Sequence, residues 1–135
     1  MYLIDTNVIS EALRRVPDAR VLQWLDGVSA QALRLSVSVI TVEEVIFGLS
    51  RKAMPGLLDR FESLLLASEV LALDAAVARR AGGLRGRFSA QGMVRSQPDM
   101  LIAATAQLHG LTVVTRNVRD FAGCGVGLLN PFDGL

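Results

Sequence analysis

Long uninterrupted apolar segments are missing from this chain, although apolar residues are plentiful. Hydrophobic side chains make up 51% of it and the mean hydropathy is +0.41. Asp5, Glu11, Glu43, Glu44, Glu62, Glu69 and Asp74 nonetheless interrupt every greasy region, well short of the ~18 residues that a membrane-spanning helix needs. The start, Met1-Tyr2-Leu3-Ile4-Asp5, has no basic residue, no long apolar run and no small-residue cleavage site, so no secretory signal is expected. The single cysteine, Cys124, excludes an internal disulfide and fits a reducing cytoplasm. Charged residues, at 20%, fall below the usual quarter, which suggests apolar surface covered by a partner. Lysine is almost absent: of 14 basic residues only Lys52 is Lys, and the arginine bias suits bidentate phosphate contacts. The net charge of +1 neither requires nor excludes a nucleic-acid partner.

What remains fits one domain spanning residues 1–135, with no repeat, low-complexity tract or linker. Tyr2-Leu3-Ile4 is a short apolar run closed by Asp5-Thr6-Asn7, residues that favour turns and helix N-caps, so it is expected to be a buried strand feeding a short helix. A second helix is expected from Pro17-Asp18, with Val21, Leu22, Trp24, Leu25 and Val28 as its apolar face, weakened by Gly27 and Ser29. Leu33 to Val37 is a candidate strand, and Val42, Val45, Ile46 and Leu49 place a helix over about Ser38 to Arg51. Past Pro55-Gly56, Leu57 to Ala67 is helical and Val70 to Leu73 a third strand, with Asp74 placed to cap an Ala- and Arg-rich helix. Gly92 to Ser96 is a loop; Pro98 suits the first turn of a buried helix that stops at His109-Gly110. Leu111 to Thr115 and Val126 to Leu129 are the last strands. Short strands alternating with helices imply a parallel sheet covered on both faces.

In such sheets ligands bind beyond the carboxyl ends of the strands. Asp5 follows the first strand directly, and Asp120 lies in the loop after the fourth, toward the same edge. Asp99 falls in the first turn of its helix, where the dipole favours an anion. Glu44 lies off the apolar face of its helix, beside Thr41 and Gly48, and a mid-helix glycine, at a cost of roughly 1 kcal/mol, suggests that something packs or binds closely there. Each acid also has an ordinary structural reading: a turn or cap for Asp5, a dipole partner for Asp99, a solvated surface acid for Asp120 and Glu44. In combination they would repel strongly and require a counter-charge. An all-oxygen donor set selects Mg²⁺ or Mn²⁺, ions suited to phosphodiester hydrolysis.

The segments Tyr2 to Ser10, Ser38 to Glu44 with Gly48 beyond it, Pro98 to Ala106 and Leu111 to Phe121, with Asn130-Pro131 near the end, make the chain resemble the PIN-domain ribonucleases, specifically the VapC toxins of toxin–antitoxin pairs. The resemblance implies a three-layer α/β/α sandwich with a central, mostly parallel sheet of four to five short strands. It makes Asp5, Glu44, Asp99 and Asp120 the catalytic, metal-holding acids, with Thr6 and Asn117 as helpers; Arg116 and Arg119, which flank Asp120, have two equal readings, as RNA-phosphate contacts or as solvated surface. It further implies Mg²⁺ or Mn²⁺, cleavage of single-stranded regions of RNA by a metal-activated water, homodimerisation, and inhibition by a cognate VapB-type antitoxin. Two positions depart from the pattern. Glu43 and Glu44 are adjacent acids, of which Glu44 stands four before Gly48, and Phe47 replaces a commonly polar or basic residue.

Other features receive structural readings. The glycine-rich Gly123 to Gly127 follows no long strand and opens no helix, so it is a turn rather than a phosphate loop. His109 is a helix-end residue, and Trp24 and Phe88 are packing residues. Arg79, Arg80, Arg85, Arg87 and Arg95 form the densest basic region, open to lining an RNA groove, contacting antitoxin acids or keeping a helix soluble, the last being favoured for any single member. Two rival functions were weighed. A PIN-like module without catalysis, binding RNA or protein, is disfavoured by the presence of all four acids. A phosphatase or receiver domain with Asp5 as nucleophile lacks a companion acid two residues on, and Lys52 is the only lysine.

Overall fold

A computed structural model describes residues 1–52 and 54–134. Among the described residues, five strands alternate with six α-helices: β1 (Tyr2–Ile4), α1 (Thr6–Ala12), α2 (Ala19–Ala30), β2 (Leu35–Ser38), α3 (Val39–Lys52), α4 (Leu57–Leu66), β3 (Glu69–Leu71), α5 (Ala75–Ala90), α6 (Gln97–His109), β4 (Thr112–Val114) and β5 (Leu128–Leu129). Short 3₁₀ turns occupy Val118–Phe121 and Pro131–Asp133. The strands form one sheet in the order β3-β2-β1-β4-β5, every pair parallel.

Parallel strands need crossovers, and the crossovers place helices on both faces. Because side chains alternate along a strand, neighbouring residues enter different cores. Leu3, Leu71 and Val113 join α5 and α6 through Val77, Ala81, Leu84, Met100 and Ala103. Ile4, Val37 and Val114 pack instead with Val8, Ile9, Val21, Trp24, Val45, Phe61 and Phe132. Each full burial of a Leu, Ile, Val or Phe contributes about 1.5–3 kcal/mol, so the sheet is fixed from both sides. The expected three layers and parallel sheet are what the chain forms.

Element ends differ from the sequence reading for local reasons. β2 begins two residues later than expected because the Leu33 N–H donates to Val28 O at 3.1 Å and closes α2. Helix α2 continues through Gly27 and Ser29 because Val21, Trp24 and Val28 bury its face. β3 ends at Leu71, paired with Ser38, since β2 turns there into α3 and leaves Ala72 and Leu73 no partner. The predicted capping by Asp74 is present, its Oδ1 accepting the Val77 N–H at 3.0 Å. Gly110 adopts the left-handed conformation (φ 65°) that ends α6.

Candidate active site

The strand order reverses between β1 and β4, whose last pair is Ile4 with Val114. At such a reversal the connections leave in opposite directions and open a crevice above the carboxyl edge. Asp5 and Thr115 are the next residues of the two strands, so the sequence places a carboxylate and a hydroxyl at the mouth of that crevice. The Asp5 N–H still donates to Val114 O at 2.9 Å, holding the acid to the sheet.

Asp5 is 5% exposed and fully engaged. Its Oδ1 accepts the Thr6 N–H at 2.8 Å, which caps α1, and its Oδ2 accepts the Thr115 hydroxyl at 2.8 Å and Asn7 Nδ2 at 3.0 Å. Asn7 also ties the two turns together, since its Oδ1 accepts the Arg116 N–H at 3.0 Å, while Thr115 Oγ1 accepts the Asn117 N–H at 3.0 Å. Asp5 is therefore a helix cap, as one reading of the sequence had it, and capping occupies only its Oδ1. Asn7 and Thr115 were not singled out as site residues. Asn7 beside Asp5 was a local signal; Thr115, distant in sequence, needed the β1–β4 pairing to be seen.

Thr6, at the first position of α1, donates through Oγ1 to Glu44 Oε1 at 2.6 Å and reaches Thr41 Oγ1 at 3.2 Å. This joins α1 to the second turn of α3 and separates the paired acids: Glu44 is partly buried and directed at Thr6, whereas Glu43 is exposed. Asp99 lies half-buried in the first turn of α6, whose N-cap Ser96 accepts the Asp99 N–H at 3.2 Å. Asp120 is exposed and, contrary to the loop expected for it, stands in the 3₁₀ turn Val118–Phe121, anchored by the buried Phe121. Asn117 and Arg119 are exposed on the same segment. Arg116 is exposed too, its guanidinium over the Phe132 ring at 4.5 Å from the centroid.

Two of the acids, Asp5 and Asp99, have raised carboxyls. Burial raises the Asp5 carboxyl to about 6, against the hydrogen bonds from Thr115 and Thr6, and the charges of Asp99 and Glu44 add to the rise. Asp99 is likewise raised, first by burial and then by Asp120 and Glu44, with Ser96 and Arg95 opposing. Among the described residues no three His, Cys, Asp or Glu side chains meet at ligand distance around one point.

Of the two expectations for Gly48, close packing within the chain is not what the structure has, since a Cβ there would meet nothing within 4 Å. It lines an open groove of about 960 Å³ that starts at Asn7 and Glu44 and runs between α1, α3 and the start of α4. Leu13, Val45, Leu49 and Leu57 line it, with Arg14, Arg15, Arg51, Lys52 and Arg60 around them. The arginines of α5 behave as surface charges, Arg79, Arg80, Arg85 and Arg87 all being exposed. Arg95 does not, as its guanidinium binds backbone carbonyls of the Asp120 turn.

Asp5 ends β1 at the switch point of a parallel five-stranded sheet and is linked through Thr6 to Glu44, and the PIN domain model matches residues 2–123. The chain belongs to the PIN-domain family. Its relatives lie in the toxin branch: it is 38% identical to the plasmid stability protein StbB of Pseudomonas syringae pv. tomato, over 98% of this chain and 99% of that one. It is 38% identical, with the same coverage, to VapC ribonuclease Y4jK of Sinorhizobium fredii. The crystal structure of FitAcB from Neisseria gonorrhoeae superposes with a TM-score of 0.82 at 34% identity, covering 98% of this chain and 99% of that one.

Proposed function

We propose that the chain is the toxin of a VapBC-type toxin–antitoxin pair and acts as a divalent-metal-dependent endoribonuclease on single-stranded regions of RNA. Kinship to a protein named VapC ribonuclease supports the activity. The observation that carries the site is geometric: Asp5, at the switch point of the sheet, is gripped by Thr115 and the Thr6 N–H, and the Thr6 hydroxyl reaches Glu44 from the neighbouring helix. Carboxylates pushed toward protonation by burial and by one another regain their charged form when a cation joins them. Oxygen-only donors fit Mg²⁺ or Mn²⁺, held by Asp5, Glu44, Asp99 and Asp120. Such an ion, when bound, supplies charge stabilisation at a phosphoryl group and a more acidic water.

The chain's own residues hold that arrangement. Thr115 and Asn7 fix Asp5 Oδ2, the Thr6 N–H fixes Oδ1, and the Thr6 hydroxyl orients Glu44. Arg116 and Arg119, exposed beside Asp120, are placed to meet RNA phosphates. The groove from Glu44 to Arg60, apolar within and basic at its sides, suits a partner segment with apolar and acidic residues, and the cognate antitoxin is the partner proposed for it. Exposed Phe47, Leu58 and Leu66 add apolar surface for the antitoxin or a second copy of the chain. The proposed place of action is the cytoplasm, in keeping with the lone, unpaired Cys124.

Cleavage of defined RNAs with and without EDTA, run beside the Asp99→Asn protein, tests the proposal. Cleavage restored by Mg²⁺ or Mn²⁺ and lost in the variant is expected. Intact RNA bound by the wild-type protein in the presence of both ions would instead favour a binding module.

A further inference from the structure

Asp120 has the weakest local support of the four acids. Its side chain is exposed and makes no hydrogen bond among the described residues, whereas Asp5 is gripped at both oxygens. Where Asp120 points is therefore decided by its backbone. The turn closes internally through the Asp120 N–H to Asn117 O at 2.9 Å, and farther along Phe121 is buried and Gln107 Nε2 donates to Cys124 O. The contact from outside the turn onto Asp120 itself comes from Arg95. Its Nη1 donates to Asp120 O and its Nη2 to Ala122 O at 2.8 Å, while its guanidinium lies over the Phe88 ring at 4.2 Å.

Resting on the metal-site reading above, we propose that Arg95 is a positioning residue: a two-pronged clamp that sets the Asp120 turn against Asp99 and so raises divalent-cation affinity without touching the ion. The planar fork reaches two carbonyls two residues apart, Asp120 O and Ala122 O, which a lysine ammonium cannot reproduce as a pair. Phe88 holds the fork in plane. Arg95 stands immediately before Ser96, the N-cap of α6, and four residues before Asp99, so one short segment carries both the clamp and an acid. The clamp ties that segment to the turn bearing the other. Groups that orient metal ligands from outside the coordination sphere commonly change affinity by about 10–100-fold.

Charge and geometry give opposite signs. As a bare cation near the acids, Arg95 would repel a metal ion, so its removal would tighten binding; as a clamp, its removal weakens binding. Titration of Mn²⁺ into the apo protein by calorimetry is expected to show Kd rising about tenfold or more in both Arg95→Ala and Arg95→Lys, with unchanged circular dichroism. Amide exchange of Val118 to Ala122 in metal-free protein should quicken in both variants, while exchange in β1 and β4 stays slow. Equal or tighter Mn²⁺ binding in Arg95→Ala, full rescue by Arg95→Lys, or unaltered exchange in the turn would overturn the clamp. Should the wild-type protein bind no Mn²⁺, the metal-site reading and the predicted gain in affinity both fail, and the exchange data still decide whether Arg95 sets the turn.

Discussion

Asp5 and Asp120 face the same edge of the sheet and are held in opposite ways. Asp5 is buried, accepts hydrogen bonds on both oxygens, and sits one residue past a strand fixed by two cores. Asp120 is exposed on a single 3₁₀ turn, placed through its backbone. The contrast teaches that the site has a pre-formed half and an adjustable half. The first half carries the desolvation cost in advance, visible in the raised Asp5 carboxyl. The second is held through its backbone alone, by the Arg95 fork on Asp120 O and Ala122 O.

The contrast is broken most severely by removing charge on each side. Asp5→Asn or Asp99→Asn should lower the cleavage rate by about 10³-fold, the scale of losing a main charge stabiliser, and should abolish growth inhibition. Asp120→Asn, on the adjustable side, should cost only about tenfold; equal losses for Asp5 and Asp120 in single-turnover assays would erase the distinction. A smaller effect tests the support of the rigid half. Thr115→Val keeps the buried shape but removes a hydrogen bond to Asp5, and should weaken Mn²⁺ binding about 10–100-fold. An unchanged Kd would mean that Asp5 needs no bracing.

The smallest effect concerns pH. The folded protein holds the Asp5 proton more tightly than the unfolded chain does, about 6 against 3.8. Metal-free stability from this group therefore rises as pH falls, by about 1 kcal/mol between pH 7 and 5, and the raised Asp99 acts in the same direction. Asp18, lowered to about 2 by Arg20, contributes stability above the ordinary carboxylate range that is lost only as pH falls from about 4 toward 2. Urea melts at pH 7 and 5 should show the gain in the wild type and a reduced gain in Asp5→Asn. A loss of stability over that interval in the wild type would reverse the assignment.

Much of this was legible in the residues. Asp5, Asp99 and Asp120 follow from where short apolar runs stop and helices start, because in a parallel sheet those are the places that share one edge. Glu44 was chosen over Glu43 through the family resemblance, by its place four before Gly48, and the hydrogen bond from Thr6 agrees with that choice. Thr115, the second role of Asn7 and the work of Arg95 were less accessible, since each joins segments distant in sequence: residue 5 with 115, residue 7 with 116, residue 95 with 120 and 122. Periodicity says nothing about such pairings. Gly48 was only half legible for a related reason, because a helical glycine signals small volume without saying whether a neighbour or open space lies beside it.

The central claim is that residues far apart in the chain supply oxygens to one divalent cation. Crystals grown with Mn²⁺ and measured at the manganese absorption edge test it most directly. The account predicts an anomalous peak about 2.0–2.3 Å from carboxylate oxygens of both Asp5 and Asp99, with Asp120 turned toward it. No peak between those two residues at saturating Mn²⁺, in protein that still cleaves RNA, would contradict it.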